Sequence, residues 1–250
     1  METHRQARPS KEFRPVYFDV RQMGEPENNY VCWFDVMGTR NQMLRSLPTS
    51  ANFICKLHCA VLEAYEELGE GTIGVCLYPV MDGVYITSAS RDPLMALLSA
   101  SLRHLAETFL QEETVYHRFL VRGAIAFGPV VHGLSVRDEA SWVLSRHRRE
   151  RDSILMGMPM AQAYQAEAGA PPYGIAIHES ARAFAPENER PFRFIWWDWY
   201  SRGEPRLDTA RMVQALNQYF DWHVEHTNTT GYDAQRIEHH RALVREYFGR

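Results

Sequence analysis

The chain of 250 residues has no long apolar run: no stretch approaches the roughly 20 residues that a membrane-spanning helix needs, and Met1 to Pro15 is charged rather than leader-like. A cytoplasmic protein with no membrane partner is therefore expected. Cysteine is scarce. Cys32, Cys55, Cys59 and Cys76 are the only four, and they lack the paired spacing of a zinc site. Cys55 and Cys59 stand one helical turn apart and are expected as small apolar residues in a helix core, in a reducing compartment. Positive charge is also short. With 27 Lys and Arg against 31 Asp and Glu, the formal net charge is −4 and the pI near 6.3. That balance argues against a chain whose main work is coating nucleic acid, so no nucleic-acid partner is expected. Neither an internal repeat nor a low-complexity tract is visible.

What is present is an ordinary globular composition, 45% hydrophobic and 23% charged, enough for one sizeable core and an extension. Three segments are expected: a polar arm over residues 1–27, a main domain over 28–200 and a helical extension over 201–250. Apolar alternation and runs predict a strand from Asn29 to Asp35, a hairpin of Ile73 to Val80 and Val84 to Thr87, and a strand from Phe119 that turns at Gly128-Pro129. Helices are expected over 51–68, 92–113 and 157–167, the first with Phe53, Ile54, Leu57, Val61 and Ala64 on its apolar side. A strand at 172–177, a short helix at 179–184 and an aromatic strand at 192–200 follow. This order predicts an α+β fold, a mostly antiparallel sheet with helices on one face. Two C-terminal helices, over 208–226 and 233–248, complete the chain.

The most informative stretch is Tyr30-Val31-Cys32-Trp33-Phe34-Asp35-Val36-Met37-Gly38, an apolar strand that ends on a carboxylate and turns on glycine. Burying a charge there needs a compensating partner. The second hairpin carries Asp82 at its turn, expected at Asp82-Gly83. Two carboxylates on the turns of neighbouring strands suit a pair of hard divalent ions. The backbone amides from Val36 through Met37, Gly38, Thr39 and Arg40, at a turn opening into a helix, are placed to cradle phosphate oxygens.

Three segments together resemble the class III nucleotidyl cyclases. They are Phe34-Asp35-Val36-Met37-Gly38, Met81-Asp82-Gly83-Val84, and Arg122-Gly123-Ala124-Ile125-Ala126-Phe127-Gly128-Pro129-Val130-Val131-His132-Gly133. The likeness spans roughly residues 28–185. It implies a ferredoxin-like catalytic domain that works as a head-to-tail homodimer and converts a nucleoside triphosphate into a 3′,5′-cyclic monophosphate and pyrophosphate. Two Mn²⁺ or Mg²⁺ ions would be held by Asp35, Val36 and Asp82. Arg122 is a phosphate contact by resemblance, and a strand arginine in an ion pair on the bare residues.

Base choice rests on Tyr78, which stands where purine-using relatives carry lysine, opposite a position near Ser153 and Ile154. A neutral ring there disfavours adenine, and the chain is similar to the bacterial pyrimidine cyclases of Pycsar antiphage systems. The resemblance therefore implies UTP, with CTP second, and a separate effector protein that binds the cyclic product. Tyr78 as a plain sheet aromatic is the alternative. One departure stands out: Ala161 and Gln165 occupy the positions of the family's asparagine and transition-state arginine. Arg146 and Arg148, in a cluster running to Arg151, are candidate replacements; a solvated charged loop is the alternative. An inactive nucleotide-sensing domain and a polymerase-like domain are the competing classes. His223, His226, His239 and His240 are expected as solvated helix histidines, and Trp196, Trp197, Trp199 and Trp222 as core or interface.

Overall fold

The computed structural model describes residues 17–201 and 206–249, so most of the expected N-terminal arm lies outside the described residues. Two compact units are present: residues up to Glu25 with His132–Ile154, and Pro26–Val131 with Leu155 onward. In chain order the elements are β1 (Glu27–Val36), α1 (Thr39–Met43), α2 (Leu47–Leu68), β2 (Val75–Val80), β3 (Gly83–Ser88), α3 (Arg91–Gln111) and β4 (Val121–His132). After α4 (Arg148–Asp152), which belongs to the smaller unit, come β5 (Leu155–Met156), α5 (Met158–Ala166), β6 (Ile175–Ile177), α6 (Glu179–Ala183) and β7 (Trp196–Trp197). The chain ends with α7 (Thr209–Glu225), α8 (Thr227–Thr230) and α9 (Ala234–Phe248).

The sheet of the larger unit runs β2-β3-β1-β4-β6-β7, with β5 on β4. β1 is central and antiparallel to both β3 and β4, β2 is antiparallel to β3, and β6 is parallel to β4. The first four strands with α2 and α3 form the interleaved β-α-β-β-α-β arrangement of ferredoxin-like domains. The fold is thus α+β with a mostly antiparallel sheet.

β1 reads as a continuous apolar run because both its faces are covered. Tyr30, Cys32, Phe34 and Val36 point into a large core with Phe53 and Leu57 of α2 and Leu94 and Leu98 of α3. Val31 and Trp33 point the other way, onto a smaller cluster with Tyr78, Tyr85 and Ala163 of α5. Helix α2 opens earlier than the apolar pattern alone indicates. Ser46 caps it, its hydroxyl accepting from the Thr49 amide, and Pro48 sits in the first turn, where a missing N–H costs nothing. Asp208 and Asp233 cap α7 and α9 in the same way. Met212, Leu216, Phe220, Ile237, Val244 and Tyr247 then carry these helices into the large core. The C-terminal helices are therefore part of the main unit.

Three local expectations change. Gly128-Pro129 is not a turn, because β4 runs straight through it, pairing Asn28 with Pro129 and Asn29 with Gly128 on β1. Only Gly123, Ala124 and Ile125 pair with β6, so Pro129 lies beyond that ladder, where proline is tolerated. Cys55 and Cys59 are exposed rather than core, since the buried stripe of α2 is Phe53, Leu57, Ala60, Val61 and Ala64. The aromatic strand shrinks to Trp196–Trp197. Trp199 instead lies fully buried in a short turn and donates its indole N–H to the Tyr173 carbonyl at 2.7 Å.

The smaller unit is held by turns and charge pairs. The Asp19 amide donates to the Ala140 carbonyl at 2.7 Å and the Arg137 amide to the Gln22 carbonyl at 3.1 Å. Arg151 bridges Asp138 and Asp152, and Arg148 lies 3.5 Å from Asp138.

Gly83 shows how tightly the β2–β3 hairpin meets β1. A Cβ there would lie 2.6 Å from Cη2 of Trp33 and 2.7 Å from the Phe34 carbonyl oxygen. Gly83→Ala is expected to destabilise the protein by roughly 1–3 kcal/mol through overpacking, as read by urea unfolding.

Candidate active site

Sheet register lays out the site in rows. Asp35, near the end of β1, is paired with Gly83 on β3 and with Arg122 on β4. The next row on the same face is Tyr78, Tyr85, Trp33 and Ala124. Alternation along the strands thus sets a carboxylate and a guanidinium beside an aromatic row. The rings of Trp33 and Tyr85 lie 4.6 Å apart, and Tyr164 of α5 comes within 5.9 Å of Trp33.

Asp35 is the least comfortable group here. Its Oδ1 is buried with no hydrogen-bond partner among the described residues. Burial first, then the negative charges of Asp82 and Glu167, push its pKa up to about 8, against the pull of the Val36 amide and Arg122. At pH 7 the acid is mostly protonated. A divalent cation would relieve both burdens, stabilising the carboxylate and taking up the idle oxygen. Asp35 and Asp82 offer hard oxygen donors, which fit Mg²⁺ or Mn²⁺. Among the described residues no group of three or more His, Cys, Asp or Glu side chains frames a single ion position. A two-carboxylate site leaves its other positions to backbone, water or substrate oxygens, as magnesium sites commonly do.

The flanking turns differ from expectation in detail. Asp82 shares a two-residue turn with Met81, which takes the left-handed conformation at φ 50, and Gly83 is already the first residue of β3. Past β1, Gly38 adopts φ 78, a conformation glycine reaches without strain. The Met37 amide is spent on the Leu120 carbonyl at 2.8 Å, so it is not available to a phosphate. Thr39 is buried, and its hydroxyl donates to the Val36 carbonyl at 2.7 Å. Its side chain therefore ties the turn together. The backbone of Gly38, Thr39 and Arg40 remains as the candidate cradle.

Arg122 is committed to an ion pair with Glu167, both side chains being largely buried, and its Nη1 lies 3.4 Å from the Ala168 carbonyl. The ion pair that a strand arginine suggests on the bare residues is thus present. Glu167 was not singled out from the sequence: it stands 45 residues from Arg122 and joins it only because the chain beyond α5 returns to the start of β4. Tyr78 is buried on the aromatic face. Ala161 and Gln165 are exposed on α5. Arg146 and Arg148 are exposed in the smaller unit, which also holds Ser153 and Ile154. The histidines of the C-terminal helices are not uniformly solvated. His240 is buried, and the Nδ1 of His223 is buried without a partner.

Two outcomes follow from the raised acid. Because the folded pKa of Asp35 exceeds the ordinary value of 3.8, its stabilising contribution is complete below about pH 4 and is lost as pH rises towards 8. Without divalent cations, Asp35→Asn should flatten that decline and stabilise the protein at pH 8 by on the order of 1–3 kcal/mol, measured by urea unfolding. Glu167→Gln removes a neighbouring negative charge and releases Arg122, so the Asp35 pKa should fall, as followed by carboxyl ¹³C NMR.

No family model matches the sequence, and no curated protein matches it. Solved structures with a partial likeness include a bacterial light-regulated adenylyl cyclase (TM-score 0.44, 10% identity), covering 58% of this chain and 40% of that one. Another is the monomeric guanylyl cyclase domain of the RhoGC fusion protein from the aquatic fungus Blastocladiella emersonii (TM-score 0.44, 16% identity), covering 63% of this chain and 84% of that one. A third is an adenylate/guanylate cyclase/hydrolase from Silicibacter pomeroyi (TM-score 0.40, 18% identity), covering 62% and 77%. The chain thus spans well under half the length of the light-regulated enzyme.

Proposed function

We propose that the chain is a nucleotidyl cyclase of the class III type, converting UTP into 3′,5′-cyclic UMP and pyrophosphate. The observation that carries the reading is the buried Asp35 carboxyl, with one oxygen idle and Asp82 close enough to raise its pKa. Such an arrangement is unfavourable in a purely structural role and favourable around a cation. Mg²⁺ or Mn²⁺, held by Asp35, Asp82 and the backbone at Val36, would neutralise phosphate charge and weaken the hold of the ribose 3′-oxygen on its proton. In the reaction the 3′-hydroxyl releases its proton to water, its oxygen forms a bond to the α-phosphorus, the bond from that phosphorus to the α,β-bridging oxygen breaks, and pyrophosphate leaves.

The residues divide that work. Asp35, once deprotonated, would serve as an anionic ligand to that cation. The Gly38–Arg40 backbone faces the leaving phosphates. Glu167 holds Arg122 beside Asp35, where the guanidinium limits the rise in that acid's pKa. The aromatic row of Trp33, Tyr85 and Tyr78 lies beside the carboxylate row, and Tyr78 is our candidate for selecting a pyrimidine over a purine. In a homodimer the loop bearing Arg146 and Arg148 would supply the positive charge that Gln165 cannot. The product would act as a second messenger in antiphage defence through a separate effector protein, a role that rests on the sequence resemblance alone. A cytidylate cyclase is the runner-up. A nucleotide-sensing domain without turnover is favoured only by exposed Ala161 and Gln165.

The purified protein, incubated with ATP, GTP, CTP or UTP and Mn²⁺, is expected to yield cyclic UMP by mass, and Asp35→Ala and Asp82→Ala should each lower the yield at least about a hundredfold. Cyclic CMP would overturn the base assignment alone, whereas no product from any nucleotide would overturn the enzyme reading. Changing Arg146, Arg148, Arg149 and Arg151 together to Ala should cost on the order of a hundredfold in rate, corresponding to about 2.7 kcal/mol; full activity would remove that loop from the mechanism.

A further inference from the structure

The C-terminal helices enclose a cavity of about 70 Å³ against the turn that follows β1. One wall is Val36, Gly38 and Thr39; the opposite wall is His223 of α7, Arg236 and His240 of α9. Phe53, Phe119 and Leu120 also line it, and all three belong to the large core. The cavity therefore lies on the α2 side of the sheet, while Asp35 faces the other side with Trp33. The turn stands between the two places, and the charge of Arg122 reaches both Asp35 and His240.

The chemistry of this lining is one-sided. Two imidazoles and a guanidinium face the space, and none of its lining residues is Asp or Glu. Among the described residues, neither Arg45 nor Arg236 makes a side-chain ion pair; of the acids near Arg236 in sequence, Asp233 caps α9 through the Arg236 amide at 3.1 Å and Glu238 pairs with Arg241. His240 is 4% exposed and shares a hydrogen bond with the Tyr232 hydroxyl. Nδ1 of His223 is buried without a partner. Burial, together with the positive charge of Arg45 at His223 and of Arg122 and Arg236 at His240, holds both imidazoles neutral, at about 4 and about 3. A partly buried space that imidazole and guanidinium groups line, with no carboxylate among its lining residues, suits an anion. Its volume suits a single compact group, since one water needs about 10–15 Å³.

We propose that this cavity is a second binding site, for a phosphate-class oxyanion, on the far side of the Val36–Thr39 turn from Asp35. The group would accept from a neutral imidazole N–H and from the Arg236 guanidinium. Because the turn forms one wall, an occupied cavity braces the segment that sets the direction of Asp35. This assignment does not depend on the cyclase reading. The oxyanion is either free phosphate or the phosphate of a larger molecule entering from outside, and the two are separable.

The test uses the full-length protein in EDTA, without nucleotide triphosphate, titrated with inorganic phosphate, pyrophosphate and a nucleoside 5′-monophosphate. Binding is read by calorimetry and by the ¹⁵N-histidine signals of His223 and His240. Saturable phosphate binding that shifts both signals is expected. Arg236→Gln, at an exposed position, and His223→Gln should each weaken it at least about tenfold, and Asp35→Asn should leave it unchanged. Tighter binding of inorganic phosphate assigns the free ion, and tighter binding of the monophosphate assigns the larger molecule. No saturable binding, binding indifferent to both Arg236→Gln and His223→Gln, or binding lost in Asp35→Asn would each overturn the proposal.

Discussion

A carboxylic acid buried at the end of the central strand, with one oxygen unpaired, is the constraint around which the larger unit is arranged. Sheet pairing fixes Asp35 between Gly83 and Arg122, so its neighbours are set by backbone register rather than by flexible side chains. Two negative groups, Asp82 and Glu167, raise its pKa, while Arg122 and the Val36 amide lower it. Without a cation the balance favours a neutral acid. A cation bound there, as proposed, would favour the charged form and compete with the proton for one oxygen.

The sheet separates two tasks. Its α2 side is a conventional apolar core, extended by α7 and α9. Its other side carries the carboxylates, the aromatic row and the short helix α5. Trp33 joins them: its ring lies over Gly83 and packs on Tyr85, so hairpin position, and with it Asp82, depends on a glycine having no side chain. The turn after Asp35 faces both sides, which gives the C-terminal helices a route to the site without touching the carboxylates.

Much of this was legible in the chain. The apolar run through Phe34, the polar punctuation at Gly38 and the hairpin around Asp82 are local signals, and local signals survive folding. The two C-terminal helices, expected over 208–226 and 233–248, were legible for the same reason. What was not legible depends on distant pairing. Nothing in the sequence links Glu167 to Arg122, and nothing in a helical period reveals that His240 is covered by Tyr232. Gly128-Pro129 reads as a turn locally because that dipeptide usually is one; β1 lies alongside and keeps the strand extended. Cys55 and Cys59 share a helix face, but spacing alone does not say which face is buried.

The most direct measurement is calorimetric Mn²⁺ binding to the nucleotide-free protein at pH 6 and pH 8, in buffers of differing ionisation enthalpy that report proton release. The account predicts saturable binding that strengthens with pH and releases close to one proton per ion at pH 6, both effects disappearing in Asp35→Asn. Binding that is unchanged in Asp35→Asn, or that proceeds without proton release at pH 6, would contradict it.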